Sequence, residues 1–214
     1  MKASRATPAS KPSAHAASTN RLRIIGGQWR GTRLQFPEHA AIRPTPDRVR
    51  ETLFNWLQQH IAGTHCLDLF AGSGALSLEA LSRGAKSAVL IEREPMISRY
   101  LSDTLARLQC TTAEVHTGDA LNFLQQATQS FDLVFLDPPF ADAEFGGLLA
   151  RLLQQLETCG HLNPRALIYL ECPSSLGAPT AWAHWPGNWH LHRSAQAGQV
   201  GYHLARRNPP DAST

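Results

Sequence analysis

The sequence predicts an α/β chain organised around a mostly parallel sheet, on three observations. Runs of strand length recur at 66–70, 89–91, 114–117, 131–136 and 166–171, all but the third mainly apolar, separated by longer stretches with helical spacing. The first run ends in Asp68-Leu-Phe70-Ala71-Gly72-Ser-Gly74, a glycine turn that leads into a helix as in nucleotide-binding folds. In the fourth, 131–136, five of six residues are apolar, which is too short for a helix and suits a strand buried on both faces of a parallel sheet.

Composition bounds the function. At 214 residues the chain suits one domain with a real core and a short appendage. Cys66, Cys110, Cys159 and Cys172 lack the close spacing of a zinc knuckle or a redox motif, so reduced thiols in a cytoplasmic protein are expected. No apolar run approaches the roughly 20 residues that span a bilayer. The net charge of +3 hides an asymmetry: residues 1–50 hold ten Lys or Arg against Glu38 and Asp47, and the remainder is acidic. A basic arm on a mildly acidic domain suits a polyanionic partner, and a solubilising tail is the alternative.

Residues 1–20 carry almost no large apolar side chain and are expected to be a disordered basic tail, with an organelle transit peptide as the other reading. Residues 21–36 read as a hairpin about a Gly26-Gly27 turn. Arg21, Arg23, Arg30 and Arg33 interleave there with Trp29, a pattern for phosphate contacts plus a stacking face, or for an ordinary edge hairpin with solvated arginines. Pro44-Thr45-Pro46-Asp47 is expected to open a helix, with Thr45 as cap and Pro46 in the first turn. Val49, Leu53 and Trp56 or Leu57 then recur on one face, leaving Arg43, Arg48, Arg50 and Glu51 solvated near its start. These parts, 21–60, precede a main domain at 61–208, with a flexible end at 209–214.

In the glycine turn, Gly72 and Gly74 permit close backbone approach by a ligand, and the acid at the strand end, Asp68, suits an ammonium. No Gly-Lys-Ser/Thr ending follows, so a phosphate loop is not expected. Glu92, twenty-four residues after Asp68, ends the second strand where a carboxylate can accept two ribose hydroxyls. Pro95 starts the next helix. Asp119 follows the third strand, as an acceptor for an adenine amine or simply as a helix cap. After a helix at 145–156 and a fifth strand, 189–205 read as a closing antiparallel hairpin. His190 and His192 alternate on a strand without an acid or cysteine cluster, so no metal is expected.

The fourth strand stops at Pro138. Two consecutive prolines give a stiff turn beyond the sheet's carboxyl edge, where open α/β sheets bind ligands. Such a turn can aim the Asp137 carboxylate and the Pro138 carbonyl at one point, two acceptors for a flat exocyclic amine, with Pro139 stiffening the corner and Phe140 as stacking surface. The bland alternative is a strand-end turn with an exposed acid.

The order of these parts resembles the class I S-adenosylmethionine-dependent methyltransferases that act on exocyclic amines. More narrowly, Arg23-Ile-Ile-Gly-Gly-Gln-Trp-Arg-Gly31, Arg43-Pro-Thr45, Asp47-Arg-Val-Arg-Glu-Thr-Leu-Phe-Asn-Trp56 and Asp68-Leu-Phe-Ala-Gly-Ser-Gly-Ala-Leu76 resemble the bacterial 16S rRNA guanine-N2 methyltransferases of the RsmD family, over about 21–206. Pro46 stands where a second threonine is expected in many relatives. The resemblance implies a Rossmann-like three-layer αβα sandwich whose seven-stranded sheet has six parallel strands and one antiparallel. It implies transfer of a methyl group to the N2 amine of a guanine in 16S rRNA, within an assembled or partly assembled small ribosomal subunit, by a cytoplasmic monomer needing neither metal nor membrane. It assigns Asp137, Pro138, Pro139 and Phe140 to catalysis. Asp68, Phe70, Ala71, Gly72 and Gly74 would hold the methionine part of S-adenosylmethionine, Glu92 the ribose, and Asp119 with Ala120 the adenine. Arg43 and Thr45 would close over the cofactor, and Arg21, Arg23, Trp29, Arg30 and Arg33 would grip RNA.

Three other readings share part of this pattern. A DNA adenine-N6 methylase has the same Asp-Pro-Pro-Phe corner and normally a larger insertion for base readout. A protein-glutamine methylase would prefer Asn at 137. A noncatalytic RNA-binding module would keep its function when Asp137 is removed.

Overall fold

The structure is a computed structural model that describes residues 21–37, 42, 44–140, 145–179 and 185–208. The expected tail at 1–20, the end at 209–214 and Arg43 lie outside the described residues. A two-stranded sheet, β1 (Arg21–Arg23) and β2 (Arg33–Gln35), precedes helix α1 (Asp47–Trp56). Alternation then begins with β3 (His65–Asp68), α2 (Ala75–Ser82), β4 (Ser87–Glu92), α3 (Pro95–Arg107), β5 (Ala113–Thr117), α4 (Ala120–Gln126), β6 (Phe131–Leu136), α5 (Phe145–Thr158) and β7 (Leu162–Pro173). A short 3-10 turn (Ser174–Leu176) follows, and the hairpin β8 (Trp189–Ala197) and β9 (Val200–Arg207) closes the chain.

The main sheet has the order β5-β4-β3-β6-β7-β9-β8. Neighbours from β5 to β7 are parallel, and β9 runs antiparallel to both β7 and β8. Six strands therefore share one direction and β9 opposes them, the sheet implied by the resemblance. Central strands are apolar on both faces because helices cover both: Cys66, Leu133, Phe135 and Tyr169 face the core that includes α1, α2 and α3, whereas Leu67, Val134 and Ile168 face that of α4 and α5. The result is a three-layer αβα sandwich. After β5 the chain crosses back past β3 to β6, so a switch point opens between β3 and β6 at their carboxyl ends.

Three local expectations are corrected by tertiary contacts. The hairpin at β1 and β2 forms, with Leu22 opposite Leu34, but Gly26-Gly27 is not its tight turn. Both glycines instead lie on the end of α2. A Cβ on Gly27, whose φ is +76°, would stand 1.7 Å from the Ser82 carbonyl oxygen. The Ile25 and Gly26 N–H groups each donate to the Glu79 carboxylate at 2.8 Å, and the Ser82 hydroxyl donates to the Gly26 carbonyl at 2.5 Å. The chain reverses later, at 27–32, where Arg30 N–H donates to Gly27 and Thr32 N–H to Trp29. Second, Pro46 rather than Thr45 precedes the first turn of α1, with no side-chain cap, and Thr45 is buried. Third, Arg50 is not solvated but 1% exposed. It occupies the stripe Arg50, Leu53, Phe54 and Leu57 that packs on the sheet, and its guanidinium reaches the Thr45 and Arg23 carbonyls, Asp47 and Glu79.

Candidate active site

Strand register puts four acids along one carboxyl edge. In sheet order these are Glu92 at the end of β4, Asp68 at the end of β3, Asp137 just after β6, and Glu171 near the end of β7. Asp68 pairs in register with Phe135, and Leu136 with Leu170, so Asp137 and Glu171 come next on neighbouring strands. A residue two after Phe135 shares its face of the pleat, as Glu171 shares that of Tyr169. Asp68, Asp137 and Glu171 therefore open on the α1 side of the switch point.

Asp68 is buried and accepts from the Ser77 hydroxyl at 2.7 Å and, more weakly, the Phe70 N–H at 3.4 Å. Burial raises its pKa to about 6, against the pull of those donors, and Glu92 adds repulsion. Gly74 precedes α2 with φ +77°, and a Cβ there would meet the Leu101 side chain at 2.8 Å, so glycine is required both for the conformation and for the space. Gly72 also has positive φ, and its N–H donates to Glu92 at 2.9 Å; the other Glu92 oxygen accepts from Glu94 N–H at 2.8 Å. Each oxygen keeps a lone pair for a further donor. Ala71 is buried and anchored through its N–H to Ile91 across the β3–β4 pair, and Phe70 is half-buried beside it.

Asp119 caps α4 by accepting from Asn122 N–H at 3.1 Å, the cap reading made from the sequence, while its exposed carboxylate keeps free lone pairs; Ala120 behind it is buried. Asp137 is partly open to solvent but crowded by protein. Burial, then Glu171, then Asp68 push its pKa well above the ordinary carboxylate value. Pro138 is buried, Pro139 is exposed, and Phe140 is half-buried with an edge-on contact to Phe145 at 5.7 Å between centroids. One part of the Phe140 ring is thus committed to packing.

Sequence reasoning missed Glu171 and its partner Tyr169. The Tyr169 hydroxyl donates to Glu171 at 2.7 Å, and Thr45 lies against the same carboxylate; burial nevertheless raises the pKa of Glu171. The available signal was an acid at the end of a buried strand, the same signal that singled out Asp68, Glu92 and Asp137. Thr45 thus meets the acidic edge at Glu171.

The hairpin segment packs on the carboxyl end of α2. Arg21, Arg23, Arg30 and Arg33 are exposed, with Arg23 across from Arg33. Arg23 is already paired with Asp47 at 3.0 Å. Trp29 is half-buried and packed against the core, so it anchors the hairpin rather than presenting a free stacking face. Among the described residues no group of three or more His, Cys, Asp or Glu is placed to hold a metal ion, and no helix is long and apolar enough to cross a membrane.

Comparison with known proteins agrees in extent with the fold. Residues 22–206 match the family described as Conserved hypothetical protein 95. The chain is 49% identical over 191 residues to the Escherichia coli protein named ribosomal RNA small subunit methyltransferase D, covering 89% of this chain and 92% of that one. It is 41% identical over 187 residues to the Haemophilus influenzae protein of the same name, covering 86% and 92%. The solved Escherichia coli yhhF structure superposes with a TM-score of 0.79 at 47% identity, over 89% of this chain and 99% of that one. With the glycine turn, the Asp-Pro-Pro-Phe corner and the N-terminal hairpin all inside the matched span, the chain belongs to the ribosomal RNA small subunit methyltransferase D family.

Proposed function

We propose that this protein transfers a methyl group from S-adenosylmethionine to the exocyclic N2 amine of a guanine in small-subunit rRNA, acting on an assembled or partly assembled particle. The observation that carries the reading is the placement of Asp137, on a proline-stiffened corner at the switch point, among buried acids that form no ion pair with a Lys or Arg among the described residues. The names of the relatives supply the rRNA class of substrate.

The residues present fit the cofactor. Asp68 is a buried carboxylate that takes the ammonium of the methionine part, over a turn in which Gly72 leaves room for backbone approach and Gly74 lets α2 pack against Leu101, with Phe70 and Ala71 beside them. Glu92 takes the ribose hydroxyls, Asp119 and Ala120 the adenine edge, and Thr45 with Arg43 covers the site. When bound, the cofactor supplies an electrophilic methyl group on a cationic sulfur. Guanine's N2 lone pair is delocalised into the ring and is a poor nucleophile. By accepting its two N–H bonds, Asp137 and the Pro138 carbonyl favour a more tetrahedral nitrogen with its lone pair on the methyl group. Positive charge then grows on that nitrogen, and a carboxylate already in position stabilises it more in the transition state than before it. Phe140 replaces stacking lost as the base leaves its helix, and the hairpin arginines hold phosphates.

Mapping modified nucleotides by mass spectrometry in small-subunit rRNA from a deletion strain, with and without complementation, tests this. One N2-methylguanosine lost and restored is expected. Unchanged rRNA, with labelled methyl groups entering DNA or a protein glutamine instead, overturns it.

A further inference from the structure

We propose that Glu171 is a positioning residue that assigns the departing amine proton to Asp137, an inference that rests on the function proposed above. Leu136 pairs with Leu170, so two carboxylates follow side by side on parallel strands. They are not equivalent. Glu171 has the Tyr169 hydroxyl at 2.7 Å and Thr45 against it, whereas Asp137 receives no hydrogen bond among the described residues. Donors stabilise the charged form of a carboxylate. Where two neighbouring acids compete for one proton, the donor-rich one keeps its charge and the donor-poor one takes the proton.

The acids that face Asp137 both oppose its charge, whereas the hydroxyls of Tyr169 and Thr45 stabilise that of Glu171. Asp68 comes from β3, with Glu92 behind it on β4; Tyr169 comes from β7, and Tyr202, paired with Glu171, from β9. Among the described residues no lysine or arginine forms an ion pair with Asp68, Asp137 or Glu171. Arg43, Asp142 and Glu144 lie outside the described residues. A bound cationic sulfur lowers the cost of ionising Asp137. In the transfer, the nitrogen–carbon bond forms as the sulfur–carbon bond breaks and leaves a neutral sulfide. The amine proton moves to an Asp137 oxygen, and the N–H electron pair stays on nitrogen. A carboxylate and a cation become a neutral acid and a neutral sulfide, so charge balances. As the cation disappears, the fixed charge of Glu171 makes Asp137 the stronger base.

The test is single-turnover methyl transfer by the full chain to small-subunit particles across pH, for wild type, Glu171→Gln and Glu171→Asp. Removing the charge is expected to move the acid limb of the rate down by roughly one pH unit or more and to lower the plateau severalfold, with cofactor affinity within about threefold. Glu171→Asp keeps a charge and is expected to recover at least half of the limb shift. Coincident limbs for wild type and Glu171→Gln, or no recovery by Glu171→Asp, overturn the role; a side chain needed only for packing lowers the rate at all pH values alike. Should Glu171→Gln not fold, infrared titration of the wild type is expected to show a carboxyl that stays protonated above the ordinary carboxylate range and that Asp137→Asn lacks, and a wild type without that band overturns the proposal. A wild type that methylates no small-subunit rRNA at any pH fails the underlying function instead.

Discussion

Two groups of buried charge, one beneath the hairpin and one at the sheet's carboxyl edge, are built on opposite terms. Glu79 is 0% exposed in a helix whose eight residues are all buried, yet its oxygens accept from Ile25 N–H, Gly26 N–H, Arg50 and Arg83 at 2.7–3.2 Å. Arg50 in turn meets Asp47 and two carbonyls. Every charge there has an opposite charge, and every polar edge a partner. At the other site Asp68, Asp137 and Glu171 share one sign, and their pKa values are all raised by burial. Compensated burial fixes a tertiary joint. Uncompensated burial costs stability unless a cation arrives, and so marks the place where a ligand is expected.

Removing one member from each group separates these roles. Asp137→Ala is expected to lower the rate of rRNA methylation at least 10³-fold, about 4 kcal/mol, with cofactor affinity nearly unchanged. Single-turnover assays beside equilibrium binding of S-adenosylhomocysteine check this, and unchanged turnover counts against its role. Glu79→Ala is expected to leave the site chemistry alone but to cost roughly 3–4 kcal/mol of folding stability, since it takes one of two carboxylates from a buried guanidinium and leaves two backbone N–H groups unpaired. Denaturant unfolding measures that cost; a loss below 1 kcal/mol breaks the contrast.

What the sequence could show follows from the same division. The strands, the glycine turn and the Asp-Pro-Pro-Phe corner were legible because backbone chemistry dictates them locally: proline stops β6, and Gly74 alone fits its φ and the nearby Leu101. Gly26-Gly27 was misread because a hairpin turn and a close backbone approach to a helix end ask for the same residue. Only the Ser82 carbonyl, far along the chain, decides between them. Thr45 likewise has cap chemistry, but its contact with Glu171 is tertiary. Arg50 did carry a signal: positions 50, 53, 54 and 57 form one helical stripe, and a charge inside such a stripe needs a buried partner. Glu79 is the lone acid of a helix with no polar face.

A pH titration sharpens the comparison at Asp68. The unfolded chain releases this proton near 3.8, whereas the native protein holds it to about 6, so the native state binds more protons between those values. The contribution of Asp68 to the stability of the unliganded protein therefore falls as pH rises through that window and is most favourable below it. Asp68→Asn removes the penalty while leaving an oxygen for Ser77. It is expected to gain about 3 kcal/mol at pH 7, with the gain shrinking towards pH 4. The same substitution is expected to weaken cofactor binding about 100-fold, or about 3 kcal/mol, by removing the ammonium's counter-charge. Unfolding curves and calorimetry read the two effects separately, and a variant less stable than wild type at neutral pH contradicts the account.

The smallest effect lies on the hairpin, where the distinction between paired and unpaired charge reappears in water. Arg21 and Arg33 form no ion pair among the described residues, but Arg23, 54% exposed, is held by Asp47. A phosphate recruited by Arg21 or Arg33 releases a counterion from the RNA, whereas one recruited by Arg23 must also compete with a carboxylate that stays nearby. Arg21→Ala and Arg33→Ala are each expected to weaken binding to small-subunit particles by up to about tenfold and to reduce the salt slope by about one. Arg23→Ala is expected to do less to affinity and more to stability, because it also unpairs Asp47 beside the buried Arg50. Titrations at several salt concentrations rank the three. If Arg23→Ala gives the largest loss of RNA affinity, pairing does not set what a charge on this surface can do, and the exposed half of the comparison fails.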